Sequence, residues 1–139
     1  MAGRPGVVRA AALAAEEGAA ERFSGAVRLA AVPGPKAPGR TTDLVDVVVV
    51  SFHDGGRTHW HTHGDEEVLH AIEGEGFLAF EDRALSLRSG DVARIPAGVV
   101  HAHGALVGRS LTHLAVTVGG THWPDLPRPV PAVSEEDVI

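Results

Sequence analysis

The sequence predicts an all-β domain, a sandwich or a barrel, and three observations carry that prediction. Apolar residues fall in short runs of about 5–9 residues, the length of a strand and short for a helix. One of these, LVDVVVVSF at 44–52, is dense in β-branched Val. Seventeen Gly and nine Pro supply turn residues between the runs, as many short strands require and a parallel βαβ fold does not.

The runs follow in order. An Ala-rich arm over residues 1–22, short helix or irregular, precedes a barrel expected over 23–118. AVRLAAV (26–32) stops at the Pro/Gly loop PGPKAPG, and LVDVVVVSF stops at HDGG. RTHWHTH (57–63) reads as the next strand, then EVLHAIE and GFLAFED on either side of a GEG corner at 74–76. ALSLR, the RSGD turn at 88–91, DVARIP, VVHAHGA and SLTHLAVTV complete the set. A tail over 119–139, with four prolines in WPDLPRPVPAV (123–133), is expected to wrap the barrel as an extended segment.

Composition narrows the function. The 139 residues suit one domain with one core. A formal net charge of −6 argues against nucleic acid and against anionic membrane surfaces, both of which want a basic face. With no Cys there is no disulfide framework and no thiolate chemistry. No apolar run approaches the roughly 20 residues of a membrane span. Arg9, Glu16 and Glu17 interrupt what would otherwise look like a signal peptide, so a cytoplasmic protein is expected.

Chemistry concentrates in THWHTHGDEE (58–67). On a strand, residues two apart share a face, so His59, His61 and His63 are expected on one face and His101 and His103 on another. Glu67 opens the following strand. Two imidazoles on one strand, a carboxylate around the corner and an imidazole on a facing strand can converge on one ion. The sequence-based ligand set is therefore His61, His63, Glu67 and His101. Four such groups are costly to bury without a partner. His53, His70 and His122 are expected at the surface, Glu66 in solvent, and Trp60 outside the barrel.

This stretch resembles the cupin superfamily. Its first motif, G-x5-HxH-x3-E-x6-G, matches Gly55, His61, His63, Glu67 and Gly74; its second, G-x5-PxG-x2-H, matches Gly90, Pro96, Gly98 and His101. An Asn common near the end of the second motif is Ala105 here. The resemblance implies a jelly-roll β-barrel, one divalent ion per chain (Mn, Fe, Zn or Ni), and homodimers built by strand exchange. RFSGAVRL, RTHWHTHGDE, IPAGVVHAHGA and LTHLAV narrow it to small single-domain cupins that include manganese-dependent hydroxynitrile lyases and relatives of carboxymuconolactone decarboxylase; single-cupin aromatic polyketide cyclases are similar. In that group the fourth ligand is often Gln where this chain has Glu67. Its two further active-site histidines fall on His103 and His113, and His59 stands where a small residue is usual.

Those readings imply an enzyme in which the ion polarises a substrate oxygen while His103, His113 and His59 move protons. A small, aromatic or apolar carbonyl substrate suits the Val- and Leu-rich walls, and aldol-type carbon–carbon chemistry follows. Two alternatives share the ligand set: an oxygen-dependent dioxygenase of the quercetin-cleaving type, and a non-catalytic small-molecule binder.

Overall fold

The computed structural model describes residues 6–32 and 45–139. The PGPKAPG loop and Leu44, at the start of the Val-rich run, lie outside the described residues, as do the first five residues of the arm. The regular structure of the described chain is strand apart from two short 3-10 turns, and it closes as a β-barrel. The strands are β1 (Glu16–Glu17), β2 (Phe23–Ala31), β3 (Val45–Thr58), β4 (Thr62–His63), β5 (Glu67–Ala79), β6 (Ala84–Arg88), β7 (Val92–Ile95), β8 (Ala102–Ala105), β9 (Ser110–Val118) and β10 (Thr121–His122). One eight-stranded sheet runs β1-β2-β3-β8-β5-β6, with β9 joining β3 to β5 and β7 flanking β5; β4 and β10 form a separate pair.

Two strands are longer than the turn signals suggest. β3 does not stop at HDGG: it passes through Asp54 (φ 41°) and Gly55 (φ 77°) as an irregularity opposite Ser24 and Ala26, and runs on to Thr58. Likewise GEG is no corner. EVLHAIE and GFLA form one strand, β5, which bends where its register shifts between Ala71 and Glu73 and where Gly74 takes φ 97°. The bends let each strand serve two neighbours: the first half of β3 and of β5 pairs with β9, the second half with β8. A side chain at Gly74 would also meet the Ser110 carbonyl oxygen on β9. Gly74→Ala is therefore expected to cost about 3–5 kcal/mol, from a conformation open to glycine and a clash with backbone, read as a lower urea midpoint at unchanged m-value.

Alternation along the strands sets the interior. On β9, Leu111, His113, Ala115 and Thr117 are buried and the residues between them are not. Opposite them on β3 stand Phe52, Val50 and Val48. On β5, Glu67, Leu69 and Ala71 face inward while His70 and Ile72 are exposed. Val27, Val50, Phe52, Leu69, Leu78, Leu87, Ile95 and Leu111 make the barrel core. Fully burying one such Leu or Phe is worth roughly 1.5–3 kcal/mol.

A second cluster lies under the tail. Trp60 packs with Phe77, Ala79, Ala102 and Leu106 against Val130 and Val133. The Trp60 indole N–H donates to the Arg128 carbonyl at 2.9 Å, and Arg57 Nε donates to the Val130 carbonyl at 3.0 Å. No helix among the described residues is long and apolar enough to cross a membrane.

Candidate metal centre

The site forms where β3, β4, β5 and β8 approach. RTHWHTH is not one strand: β3 ends at Thr58, the chain bends at His59 and Trp60, and His61 makes a single bridge to His101. Reciprocal N–H to carbonyl bonds of 3.0 Å lock those two residues face to face. His63 sits on β4, held by pairing with Thr121 of β10. Glu67 begins β5 opposite Thr117 and Ile95.

The bend separates the three histidines of THWHTH. His61 and His63 turn inward and are buried. His59 does not join them. Its backbone N–H donates to the Arg22 carbonyl at 2.8 Å, its ring Nδ1–H donates to the Glu21 carbonyl at 2.9 Å, and its Nε2 lies 3.2 Å from Ser24 Oγ. The proton-transfer role expected for His59 at the buried site therefore has no geometric basis, because the alternation that placed it there ends at Thr58. His53, His70 and His122 are exposed.

His61, Glu67, His101 and His103 each present one ligand atom within 4.8 Å of the others, and all four are buried. His63 approaches the second carboxylate oxygen. Glu67 Oε1 lies 3.0 Å from His101 Nε2 and 3.5 Å from His103 Nε2; Glu67 Oε2 lies 3.2 Å from His63 Nε2. His103, expected as an acid–base group, thus sits in the cluster itself. His113 stands one step behind, its Nε2 3.0 Å from His103 Nδ1 and its ring 5.2 Å from Phe52.

Protons show what the cluster lacks. His61 Nδ1 faces the His59 carbonyl and His101 Nδ1 the Val99 carbonyl, both at 2.9 Å; His63 Nδ1 faces the Gly120 carbonyl at 3.3 Å. A carbonyl only accepts, so each Nδ1 carries a hydrogen and each ring turns its Nε2 inward. Burial, and then His103 and His101 nearby, push the His61 imidazole well below its ordinary value. Burial likewise lowers His103 despite Glu67. Burial alone would raise the Glu67 carboxyl, but His101, His103 and His63 outweigh it and hold it well below the usual carboxylate range. Thr117 Oγ1 donates to Glu67 Oε2 at 2.9 Å and fixes the carboxylate plane.

These imidazoles can meet the ionised Glu67 carboxylate in two ways: a ring with hydrogen on Nε2 donates to it, and a ring with Nε2 bare needs a cation between the two. The buried nitrogens His63 Nε2 and His103 Nε2 have no hydrogen-bond partner. Two donors bound at about 2.1 Å to one ion stand roughly 3.0–3.4 Å apart when adjacent, which matches the Glu67–His101 and Glu67–His63 separations and comes close to Glu67–His103. The residues fit a divalent ion held by imidazole and carboxylate, Mn, Fe, Zn or Ni being compatible with that donor set.

Thr117, Thr121 and Trp123 also belong to the site. Thr121 Oγ1 stands 3.1 Å from His63 Nδ1, and the Trp123 ring lies 4.8 Å from His61 at 34°. Thr117 could have been found, since it shares the inward face of β9 with His113; nothing local in the sequence marks the other two.

His113 makes the metal-stripped protein acid-sensitive. Burial, with the neighbouring His103 next, pushes its imidazole down to about 3 from an ordinary 6.5. The folded chain keeps it neutral while the unfolded chain takes a proton below about 6.5. Stability is thus intact above that pH and lost as pH falls toward 3. The loss from this group is about 2 kcal/mol by pH 5, and His61 and His103 add in the same direction. Urea unfolding at pH 7.5 and pH 5 measures it, with His113→Phe reducing the difference.

A closed β-barrel with a buried histidine and carboxylate centre defines a class of small metal-binding barrels. This chain belongs to the cupin family: the Cupin domain matches residues 48–118, about half of the chain. It is 35% identical over 111 residues to an (R)-mandelonitrile lyase of Granulicella tundricola, covering 79% of this chain and 82% of that protein. A cupin-like protein of Thermotoga maritima superposes with a TM-score of 0.69 at 30% identity, over 87% of this chain and 88% of the other. Acireductone dioxygenase 1 of Vitis vinifera is 30% identical over 74 residues, half of this chain; the chain spans 39% of that protein's length.

Proposed function

We propose that this cupin is a metal-dependent lyase that breaks or forms the carbon–carbon bond beside the oxygen-bearing carbon of a small aromatic compound, such as an aryl cyanohydrin. The observation that carries the reading is the His103–His113 pair set against the anionic cluster: a buried imidazole, itself backed by another, beside groups spaced to hold a cation. The likeness to a mandelonitrile lyase over four-fifths of both chains supports it.

His61, His63, Glu67 and His101 would hold a divalent ion, which would supply Lewis-acid polarisation of the substrate oxygen. The chain's own residues do the rest. His113 stays neutral; in the tautomer that accepts at Nε2, His103 carries its hydrogen on Nδ1, 3.0 Å away, and leaves Nε2 free as base. His103 Nε2 takes the hydroxyl proton; the bond to the cyanide carbon breaks with its electron pair; the proton then passes from His103 to the released cyanide. Aldehyde and hydrogen cyanide leave, and His103 is neutral again. Thr117 holds the Glu67 carboxylate, and the apolar core residues Phe52, Val50 and Leu69 keep bulk water out.

Release of benzaldehyde from mandelonitrile, followed under air and under argon, tests this. Equal rates in both support it; turnover that consumes oxygen moves the protein to the dioxygenases, a reading favoured by the acireductone dioxygenase likeness over half of the chain. Metal and ligand affinity with no turnover of any carbonyl compound makes the chain a binder. We further place the activity in a homodimer working on small molecules alone, consistent with the exposed Ile72 and Val92 on the outer face of β5 and β7. Light scattering checks the dimer.

A further inference from the structure

A cleft of about 410 Å³ opens on the surface between the start of β2 and the tail, outside the buried centre. Trp60, Trp123 and Leu126 give it apolar walls, Ser24 and His59 polar atoms, and Glu21 and Asp125 acidic flanks. Its volume lies within the range of about 300–1,000 Å³ usual for small-molecule sites. Trp123 is shared with the centre: its ring lies against His61, Phe23 meets it edge-on at 6.4 Å, and the Arg22 guanidinium sits 5.7 Å over it.

The hydrogen bonds of the cleft define what it accepts. His59 Nδ1–H is committed to the Glu21 carbonyl, so its Nε2 is an acceptor and takes the Ser24 hydroxyl proton. Ser24 Oγ is left with lone pairs and no hydrogen to give. A ligand here is therefore met by an acceptor, two aromatic walls and flanks of mixed charge, Glu21 and Asp125 with Arg128, that favour neither ion. That is complementary to a neutral ring bearing a hydroxyl donor.

We propose that this cleft binds a neutral single-ring aromatic alcohol, with the ring on Trp123 and the hydroxyl donating to Ser24. It places such a ligand one ring away from His61. Its use as an entry subsite for aromatic substrate rests on the lyase reading; the binding itself does not.

The chain has two tryptophans, so Trp60→Phe leaves Trp123 as the sole reporter. Benzyl alcohol titrated into that variant is expected to change Trp123 fluorescence saturably. Toluene and cyclohexylmethanol should bind at least about tenfold more weakly, and Ser24→Ala should weaken benzyl alcohol by about two- to tenfold, the scale of one hydrogen bond. A linear response like that of free tryptophan, equal affinity for cyclohexylmethanol, or Ser24→Ala without effect overturns the proposal. If Trp60→Phe does not fold, the same titration compares the intact chain with Trp123→Leu; saturable binding of unchanged affinity in Trp123→Leu also overturns it. Cyanohydrin turnover without ring binding sinks this proposal alone, and ring binding without turnover sinks the lyase reading alone.

Discussion

Glu67→Leu is expected to remove the metal and, with it, all turnover above background. Glu67 is the one anion in the cluster and the group that three imidazoles approach at 3.0, 3.2 and 3.5 Å. Deleting it leaves neutral donors with no charge to offset that of a divalent ion. Changing groups that merely orient a ligand costs about 10–100-fold in metal affinity, so losing a charged donor should exceed that. Glu67→Gln keeps an oxygen in place and loses the charge, and should fall between Leu and the native residue. Metal content after gel filtration, measured beside turnover, separates the three. The Leu variant fills its own space with apolar atoms and should stay folded, because the Phe52, Leu69 and Ile95 core around it is untouched.

His103→Ala is expected to lower turnover about 10²–10⁴-fold while keeping most of the metal. Four donors remain without it: His61, His63, Glu67 and His101. What disappears is the Nε2 base and the link to His113. His61→Ala, by contrast, should lose metal and turnover together. His113→Phe should slow the reaction less than His103→Ala, since His113 acts only through its 3.0 Å bond to His103. If His103→Ala loses its metal as His61→Ala does, His103 is a ligand and the proton must move elsewhere.

These expectations turn on which parts of the site could be read from the chain. His61, His63, Glu67 and His101 stood out because two motifs with fixed spacing carry them; the structure gathers His61, Glu67 and His101 with His103 and sets His63 3.2 Å from Glu67. Alternation failed at His59 because it holds only while a strand lasts, and β3 ends at Thr58. The approach of His103 to Glu67 at 3.5 Å depends on how β8 seats against β5, which no local pattern encodes. Gly55 and Gly74 read as turn residues because a positive φ serves a turn and a strand bend alike; only the partner strands tell them apart. Trp123 was missed for a similar reason, being brought to His61 by the pairing of β10 with β4.

The most direct test is metal titration of chelator-stripped protein, with mandelonitrile cleavage followed at each point. One Mn²⁺ bound per chain, with turnover rising in proportion to occupancy and Glu67→Leu showing neither, is the result predicted. Full turnover in the stripped protein, or equal metal uptake by Glu67→Leu and the native chain, would contradict it.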